Sequence, residues 1–353
     1  MRKINRFVIS VLILIIGVMS FTACGSTEQN QVTENKVFKI GTANGSLCLV
    51  PLHVAEDLGY FEEEFETAGI SYELVEIDMN QAAELIAAGK IDACVGLSGS
   101  LIPQIDSGLE IAFTGGLHTG CTKYYVKEDS DIQSLSDLKG KKIGVPGMSD
   151  SSVIALKRKL FDLGIGVSTD NLEIELVVYN LTDLPLALEN GAVDAIALHD
   201  PVATSAETEY GFQKILDLTE DEKFANEYCC QIYVSTDAAE NQPEASAAYT
   251  RALLKAAAYV QANPEDAARL QIENNQCSGE LNVNAALLNS YNYTPSVSLA
   301  KQTFRDASDE LIRIGELTTG RDLDEFTTDH FVEFEGVPES YIYNSDGTFT
   351  AVE

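Results

Sequence analysis

Cysteine and histidine are the residues of this chain with the widest chemical range. His118 and Cys121 lie three positions apart, and Cys229 and Cys230 are adjacent on a predicted strand. A thiol beside an imidazole can act as a nucleophile, and thiolates with imidazoles bind zinc, copper or iron. Cys48 and His199 are further candidates for such a cluster. The pattern leaves two readings open, an enzyme with a cysteine nucleophile and a receptor for a metal or another soft ligand.

The interpretation as an enzyme requires further catalytic residues and motifs that the sequence does not contain. No third residue is placed to orient a Cys/His pair, and the sequence has no Gly-rich phosphate loop, metalloprotease helix or serine nucleophile elbow. No pair of cysteines has the spacing of a structural zinc site. We therefore expect no enzymatic activity, no cofactor and no metal ligand, and keep the metal or soft-ligand receptor as the alternative.

The remaining cysteines allow more than one state. Cys229 and Cys230 could form a vicinal disulfide or be two small apolar residues on a buried strand. Cys94 lies inside an apolar strand, where a free thiol behaves as a small hydrophobe. The spacing fits no small disulfide scaffold, so the pairing of the thiols cannot be read from sequence.

Small and hydroxyl-bearing residues follow several predicted strands. In open α/β sheets ligands bind at the carboxyl ends of the strands, where helix N-termini present free N–H groups. The residues that this rule selects as ligand-binding are Asn44, Ser46, Cys48, Ser98, Ser100, His118, Thr119, Ser149, Asp150, Ser151, Asp200, Tyr228, Cys229 and Cys230.

The charge of this set points to the ligand class. Arginine is absent from these segments, Lys123 is the only nearby lysine, and Asp200 places a carboxylate at a strand end. A desolvated anion beside that carboxylate would be costly. We expect a neutral or weakly basic ligand, with a heteroaromatic ring among the candidates. Asp200 would accept from its N–H, and Tyr124, Tyr125 or Tyr228 would stack on it. A sulfonate or nitrate held by helix N-termini is the other alternative.

An internal repeat indicates the architecture that holds these residues. Leu85–Ala93 recurs as Leu186–Ala195, about 102 positions later, and Lys39–Gly41 recurs as Lys142–Gly144 at an offset of 103. Two matches at nearly one offset indicate a duplicated unit. Each unit alternates strands and helices, so we expect two similar α/β lobes that face each other across a ligand cleft.

Two predicted strands should connect the lobes as a hinge. Residues 123–127 cross into the second lobe and residues 228–235 cross back, which predicts closure around a ligand. The predicted domains are 37–121 with 230–353 for the first lobe, and 122–229 for the second. The C-terminal region should be helical and pack on the first lobe, with helices over 243–262, 264–273, 283–289 and 297–314.

The N-terminus has the features of an export signal. A basic start precedes the apolar run Phe7–Phe21, which suits a signal peptide over 1–23. Phe21–Cys24 resembles a bacterial lipobox, although that pattern usually begins with Leu, and it predicts lipidation of Cys24. A plain secretion signal with an incidental cysteine is the alternative. Residues 24–36 are polar and should form a flexible tether.

The net charge limits the class of partner. The chain carries −32 at pH 7, and loss of Arg2, Lys3 and Arg6 with the signal peptide makes this −35. Such a surface repels nucleic acid. We expect no nucleic-acid partner and a monomer that is displayed outside the cytoplasm on a membrane anchor.

Four segments together resemble a known family. Pro51–Glu63, Gly89–Ala93, Ser134–Val145 and Gly191–Ala195 are similar to the type II periplasmic solute-binding proteins. The likeness is greatest to the branch with receptors for aliphatic sulfonates, taurine, nitrate and the thiamine pyrimidine precursor. This resemblance implies capture of a small molecule between two lobes and its delivery to the permease and ATPase of an ABC importer.

Overall fold

The computed structural model describes residues 36–353. The predicted signal peptide, Cys24 and almost all of the predicted tether lie outside the described residues. Strands and helices alternate through the first two thirds of the described chain, and helices dominate the rest. Among residues 36–353, none of the helices combines the length and the apolarity that spanning a bilayer requires.

The element bounds are as follows. The strands are β1 (Phe38–Thr42), β2 (Tyr72–Glu76), β3 (Ala93–Leu97), β4 (Ile111–Thr119), β5 (Thr122–Val126), β6 (Lys142–Val145), β7 (Val167–Ser168), β8 (Asn171–Leu172), β9 (Glu175–Val178), β10 (Ala195–His199), β11 (Gln213–Asp217), β12 (Tyr228–Ser235), β13 (Ser340–Tyr343) and β14 (Phe349–Val352). The helices are α1 (Val50–Asp57), α2 (Tyr60–Ala68), α3 (Ala82–Ala87), α4 (Ser98–Asp106), α5 (Ser151–Asp162), α6 (Leu184–Glu189), α7 (Val202–Tyr210), α8 (Thr236–Asn241), α9 (Pro243–Ala262), α10 (Pro264–Glu273), α11 (Leu281–Ser290), α12 (Val297–Ile314) and α13 (Leu323–His330).

Two five-stranded sheets share one plan. The first has the order β2-β1-β3-β12-β4, and the second, read from the corresponding edge, has the order β9-β6-β10-β5-β11. In each sheet the first three strands are parallel and the fourth is antiparallel to its neighbours. The predicted fold of two similar α/β lobes is confirmed. We call each sheet with the helices packed on it the first and the second lobe.

The repeat is visible in individual hydrogen bonds. The Lys39 amide donates to Asp92 Oδ2 at 2.9 Å, and the Lys142 amide donates to Asp194 Oδ2 at 2.8 Å. Both carboxylates follow a glycine turn and accept from an N–H at the start of the neighbouring parallel strand, in its second residue in β1 and in its first in β6. The recurring Gly-x-x-Asp segment therefore fixes the start of the central strand pair in each sheet.

The lobes exchange their fourth strands. After β4 the chain passes through Gly120 and Cys121, both with positive φ (83° and 76°), and enters the second sheet as β5. After β11 it returns to the first sheet as β12, which lies between β3 and β4. The two crossings touch, because a Cβ at Gly120 would lie 2.2 Å from Thr219 Cγ2. The predicted two-strand hinge is confirmed, with the crossing points at the strand ends.

The C-terminal helices complete the first lobe. Helix α9 packs on α1, α2 and β4, and α12 packs on β4 and α4. All four predicted C-terminal helices are present, three of them with the predicted bounds. Strands β13 and β14 pair as an antiparallel hairpin, which packs on α9.

Several elements differ from the sequence analysis. The segment Pro51–Glu63 is divided between two helices, α1 and α2, and Gly59 adopts φ 75° between them. Helices α7, α8 and α13 were not predicted. Their short sequences are rich in Thr, Asp and Glu, so they lack the apolar periodicity that identifies a helix.

A substitution at Gly116 tests the packing of the exchanged strand. A Cβ at Gly116 would lie 2.3 Å from the Tyr228 ring, whose hydroxyl is held by the Thr294 carbonyl at 2.5 Å. We expect Gly116→Ala to lower the free energy of unfolding by about 1–3 kcal/mol through overpacking. Urea denaturation, monitored by circular dichroism, measures this change in the free energy of unfolding. Gly147→Ala is the matched control, since no atom lies within 4 Å of a Cβ there; equal losses in both variants would refute the packing argument.

Candidate functional site

A cavity lies between the two lobes, next to the crossings. Its volume is about 50 Å³, and its wall includes Ser98 of the first lobe and Ser151 of the second. A buried water needs roughly 10–15 Å³ by the same measure, so the cavity holds only a few heavy atoms. The lobes are in direct contact, because a Cβ at Gly99 would lie 3.4 Å from the Ser151 Cβ. The structure is therefore in a closed arrangement.

Hydroxyl groups line the cavity, and they differ in whether they already have a hydrogen-bond partner. The Ser98 hydroxyl donates to the carbonyls of Tyr228 and Cys229 at 2.9 and 3.1 Å. Ser151 is the first residue of α5, and its buried Oγ has no hydrogen-bond partner among residues 36–353. A buried hydroxyl without a partner is costly, so Ser151 is the polar group in the wall that a bound molecule would satisfy.

Arg158 is a charged residue of the cavity that the sequence analysis missed. Its Nη1 and Nη2 donate to the two carboxylate oxygens of Glu227, each at 2.8 Å, and its Nε donates to Glu310 at 2.5 Å. Burial alone would lower the pKa of Arg158, but these carboxylates raise it. The guanidinium is thus charged and has two carboxylate partners.

Further ion pairs connect the lobes beside the cavity. Lys223 Nζ lies 2.9 Å from Glu310, and Lys157 Nζ lies 2.6 Å from Glu316. Lys157 and Arg158 belong to α5 of the second lobe, whereas Glu310 and Glu316 lie in and just after α12 of the first. Burial alone would raise the pKa of Glu310, but its cationic partners hold it below its usual value. These pairs favour the closed arrangement.

A buried imidazole completes the second-lobe side. His199 Nε2 lies 2.9 Å from Asp150 Oδ1, and its Nδ1 lies 3.0 Å from Thr122 Oγ1. Burial opposes both charges, yet their attraction lowers the pKa of Asp150 to about 2 and raises that of His199 well above its usual value. The pair thus favours the charged form of His199, and Asp150 also caps α5 by accepting from the Ser152 amide.

Asp200 has a different role from the one expected. Its Oδ2 accepts from Lys123 at 2.7 Å and from the Tyr291 hydroxyl at 2.6 Å, and its Oδ1 accepts from the amide and hydroxyl of Thr204. The side chain is fully buried. Both oxygens are thus occupied by protein donors, and the carboxylate holds Tyr291 against the second lobe.

The three tyrosines proposed to stack on the ligand occupy different places. Tyr228 lines the cavity. Tyr124 and Tyr125 are buried, and their hydroxyls donate to the Ser152 carbonyl and to Glu207. Because those two rings form part of the core, Tyr228 is the one that a ligand in the cavity could contact.

The other predicted ligand contacts fall into three groups. Ser98, Ser151, Tyr228 and Cys229 line the cavity. Five lie in the fold around the cavity: Asp150, Thr119, Cys48, His118 and Cys230. The Thr119 amide donates to the Asn292 carbonyl, and the last three residues form a cluster. Those outside this region are Asn44 and Ser149, which are exposed, Ser46, which caps a turn, and Ser100 within α4. Their roles in binding stay predictions.

The cysteines near the crossings are free thiols in close contact. Cys121 Sγ of the first crossing lies 3.2 Å from Cys229 Sγ of the second. Hydrogen bonds from the thiols of Cys121 and Cys230 lower the pKa of Cys229 to about 6. Cys94 is buried in β3 and its thiol donates to the Gly41 carbonyl, in agreement with a structural role.

Comparison with known proteins gives the family. The family model described as NMT1/THI5 like matches residues 48–267, more than half of the chain. A "Putative thiamine biosynthesis protein" of Haemophilus influenzae is 33% identical over 147 residues, which is 40% of this chain and 43% of that protein. The chain thus matches less than half of the length of this relative.

Two longer matches extend the comparison. A "Putative aliphatic sulfonates-binding protein" of Bacillus subtilis is 24% identical over 273 residues, 76% of this chain and 77% of that protein. The solved structure of the alkanesulfonate-binding protein SsuA from Xanthomonas axonopodis, bound to MOPS, has a TM-score of 0.67 at 16% identity and covers 84% of this chain and 98% of that one.

These findings define the class of the protein and then its family. The two exchanged-strand lobes are those of the periplasmic binding protein fold. The chain belongs to the NMT1/THI5-like family.

A charge-neutral substitution tests the ion pairs between the lobes. Glu310→Gln removes the carboxylate that binds Arg158 and Lys223 of the second lobe. We expect the closed arrangement to lose about 1–3 kcal/mol, and small-angle X-ray scattering should report a larger radius of gyration. Asp309→Asn removes the same charge from an exposed position one residue earlier. A radius unchanged by Glu310→Gln, or raised equally by Asp309→Asn, would contradict this role.

Proposed function

We propose that this protein is a lipid-anchored, extracytoplasmic solute-binding receptor that captures a small molecule between its lobes and delivers it to an ABC-type importer. The observation that carries the proposal is the cavity between the lobes, in which the buried Ser151 hydroxyl has no partner among residues 36–353. The family match and the sulfonate-binding relative support a binding role rather than an enzymatic one.

The charge balance of the wall supports a neutral or weakly basic ligand. Arg158 has two carboxylate partners, so an anion would have to compete with Glu227 and Glu310 for it. Removing one partner of a buried ion pair is strongly unfavourable. The hydroxyl of Ser151 and the ring of Tyr228 suit a small, polar, flat molecule such as a pyrimidine, which the cavity would accommodate only after the lobes move apart from the arrangement described here. With Asp200 fully engaged, the ligand N–H would instead find the carboxylate of Glu227.

Closure is the mechanism that the hinge supports. Ser98 begins α4 of the first lobe and Ser151 begins α5 of the second, so one ligand can contact both lobes only in the closed form. A ligand shifts the equilibrium by its difference in affinity for the two forms. In the closed form, α5 of the second lobe and α12 of the first lie side by side. The permease would recognise the surface that these two helices form together.

A ligand panel tests both the receptor role and the ligand class. We expect isothermal titration calorimetry to detect binding of a pyrimidine or a weakly basic amine, and Ser151→Ala to weaken it about 5-fold through loss of one hydrogen bond of about 1 kcal/mol. Ser205→Ala, exposed on α7, is the control. Tight binding of an alkanesulfonate with no pyrimidine signal would reverse the assignment of the ligand class.

The membrane anchor is tested separately. If Cys24 carries the lipid, Cys24→Ser should move the protein from the membrane fraction to the soluble extracytoplasmic fraction, because a chain without acyl groups lacks the apolar surface that anchors it. Cys277→Ser is a matched control. Retention of the Cys24→Ser protein in washed membranes would contradict lipidation at this residue.

A further inference from the structure

Three side chains from distant parts of the chain meet inside the first lobe. Cys48 lies in the loop after β1, His118 in β4 and Cys230 in β12. The two Sγ atoms and one ring nitrogen of His118 all lie within 4.8 Å of one another. None of the three residues lines the cavity between the lobes, so they form a separate cluster.

The imidazole of this cluster has a free lone pair. His118 Nδ1 lies 3.1 Å from the Thr119 carbonyl, which can only accept, so Nδ1 carries the proton. The other nitrogen, Nε2, is fully buried and has no hydrogen-bond partner among residues 36–353. A histidine that donates one N–H to a backbone carbonyl and directs its second nitrogen at a metal is the usual arrangement of a metal ligand.

The position of the ring is fixed by its neighbours. Tyr291 stacks on His118 at a centroid distance of 5.7 Å and an interplanar angle of 21°, and Tyr293 packs at 5.0 Å. Tyr291 is itself held by Asp200, and the Tyr293 hydroxyl donates to the Leu47 carbonyl beside Cys48. The donor atoms are thus pre-positioned by the surrounding structure before any ion binds.

We propose that Cys48, His118 and Cys230 bind one thiophilic d¹⁰ cation, Zn²⁺ or Cu⁺. Two thiolates with one imidazole and no carboxylate form a donor set that selects such ions. Zn–S bonds of about 2.3 Å place sulfur atoms roughly 4 Å apart in a trigonal site. The three donor atoms therefore need to move by less than about 1 Å. Cys48 is partly exposed, whereas His118 and Cys230 are buried.

This site lies outside the wall of the proposed ligand cavity, although Cys230 adjoins Cys229 of that wall. Binding would release the thiol protons and join the loop after β1 to β4 and β12, the two first-lobe strands that end at the crossings. The ion would therefore stiffen the first-lobe side of the hinge. Failure of the site would leave the receptor role intact, because that role is measured on metal-free protein with an organic ligand.

Metal titration of the full chain tests the proposal. The protein is reduced with a phosphine, freed of metal with a chelator, and titrated without oxygen with Zn²⁺ or Cu⁺ against a chromophoric competitor. Co²⁺ serves as a spectroscopic probe, since thiolate ligands give it intense charge-transfer absorption. We expect one equivalent of Zn²⁺ or of Cu⁺ to bind, with a raised melting temperature, and the two titrations identify the preferred ion.

The variants separate this site from general thiol binding. Cys48→Ser, Cys230→Ser and His118→Phe, which retains a ring against the tyrosines, should each weaken binding at least 100-fold and abolish the cobalt–thiolate absorption or shift it. Cys94→Ala removes a buried thiol from β3 outside the cluster and should bind as the parent does. Lack of stoichiometric binding of either ion, or equal affinity in His118→Phe and the parent, would overturn the proposal, as would an equal loss in Cys94→Ala.

Discussion

The exchange of one strand between the two sheets constrains everything else in this structure. Because β12 is hydrogen-bonded between β3 and β4, and β5 between β10 and β11, neither sheet is complete without a strand that the other half of the chain delivers. The lobes cannot separate without losing these ladders, so their relative motion is limited to the two crossings.

Ion pairs across the cleft affect the equilibrium between the open and the closed arrangement of the lobes. Arg158, Lys157 and Lys223 of the second lobe reach carboxylates of the first, so the closed form is favoured even before a ligand contributes. These pairs are only partly exposed and are therefore less screened by salt than surface pairs. A receptor of this kind needs only modest differential affinity to shift its population toward closure, which suits a cavity with few polar groups.

The sequence predicts what is local and repeated. Gly89 and Gly191 of the repeated segment both adopt the left-handed conformation, and the aspartates that follow accept from amides at the starts of neighbouring strands in both lobes. The ion pairs of Arg158 join residues 69 and 152 positions apart, and no periodicity indicates them. The same holds for Asp200, whose place at a strand end was predicted correctly but whose partners Lys123 and Tyr291 come from elsewhere. A position at a strand end therefore does not show whether a polar side chain is free to bind a ligand or already has partners within the protein.

Polar groups without a hydrogen-bond partner lie on both sides of β12, and the groups on the two sides suit different ligands. Within the cavity, Ser151 is unpartnered while the charged groups are paired, and this combination favours a polar molecule without net negative charge. In the first lobe, the unpartnered buried atoms among residues 36–353 include a histidine nitrogen beside two thiols, and none of these three residues lines the cavity. Cys229 and Cys230 are adjacent in sequence, yet the first belongs to the cavity wall and the second to the thiol–imidazole cluster. The two residues remain in contact, since hydrogen bonds from the thiols of Cys121 and Cys230 lower the pKa of Cys229.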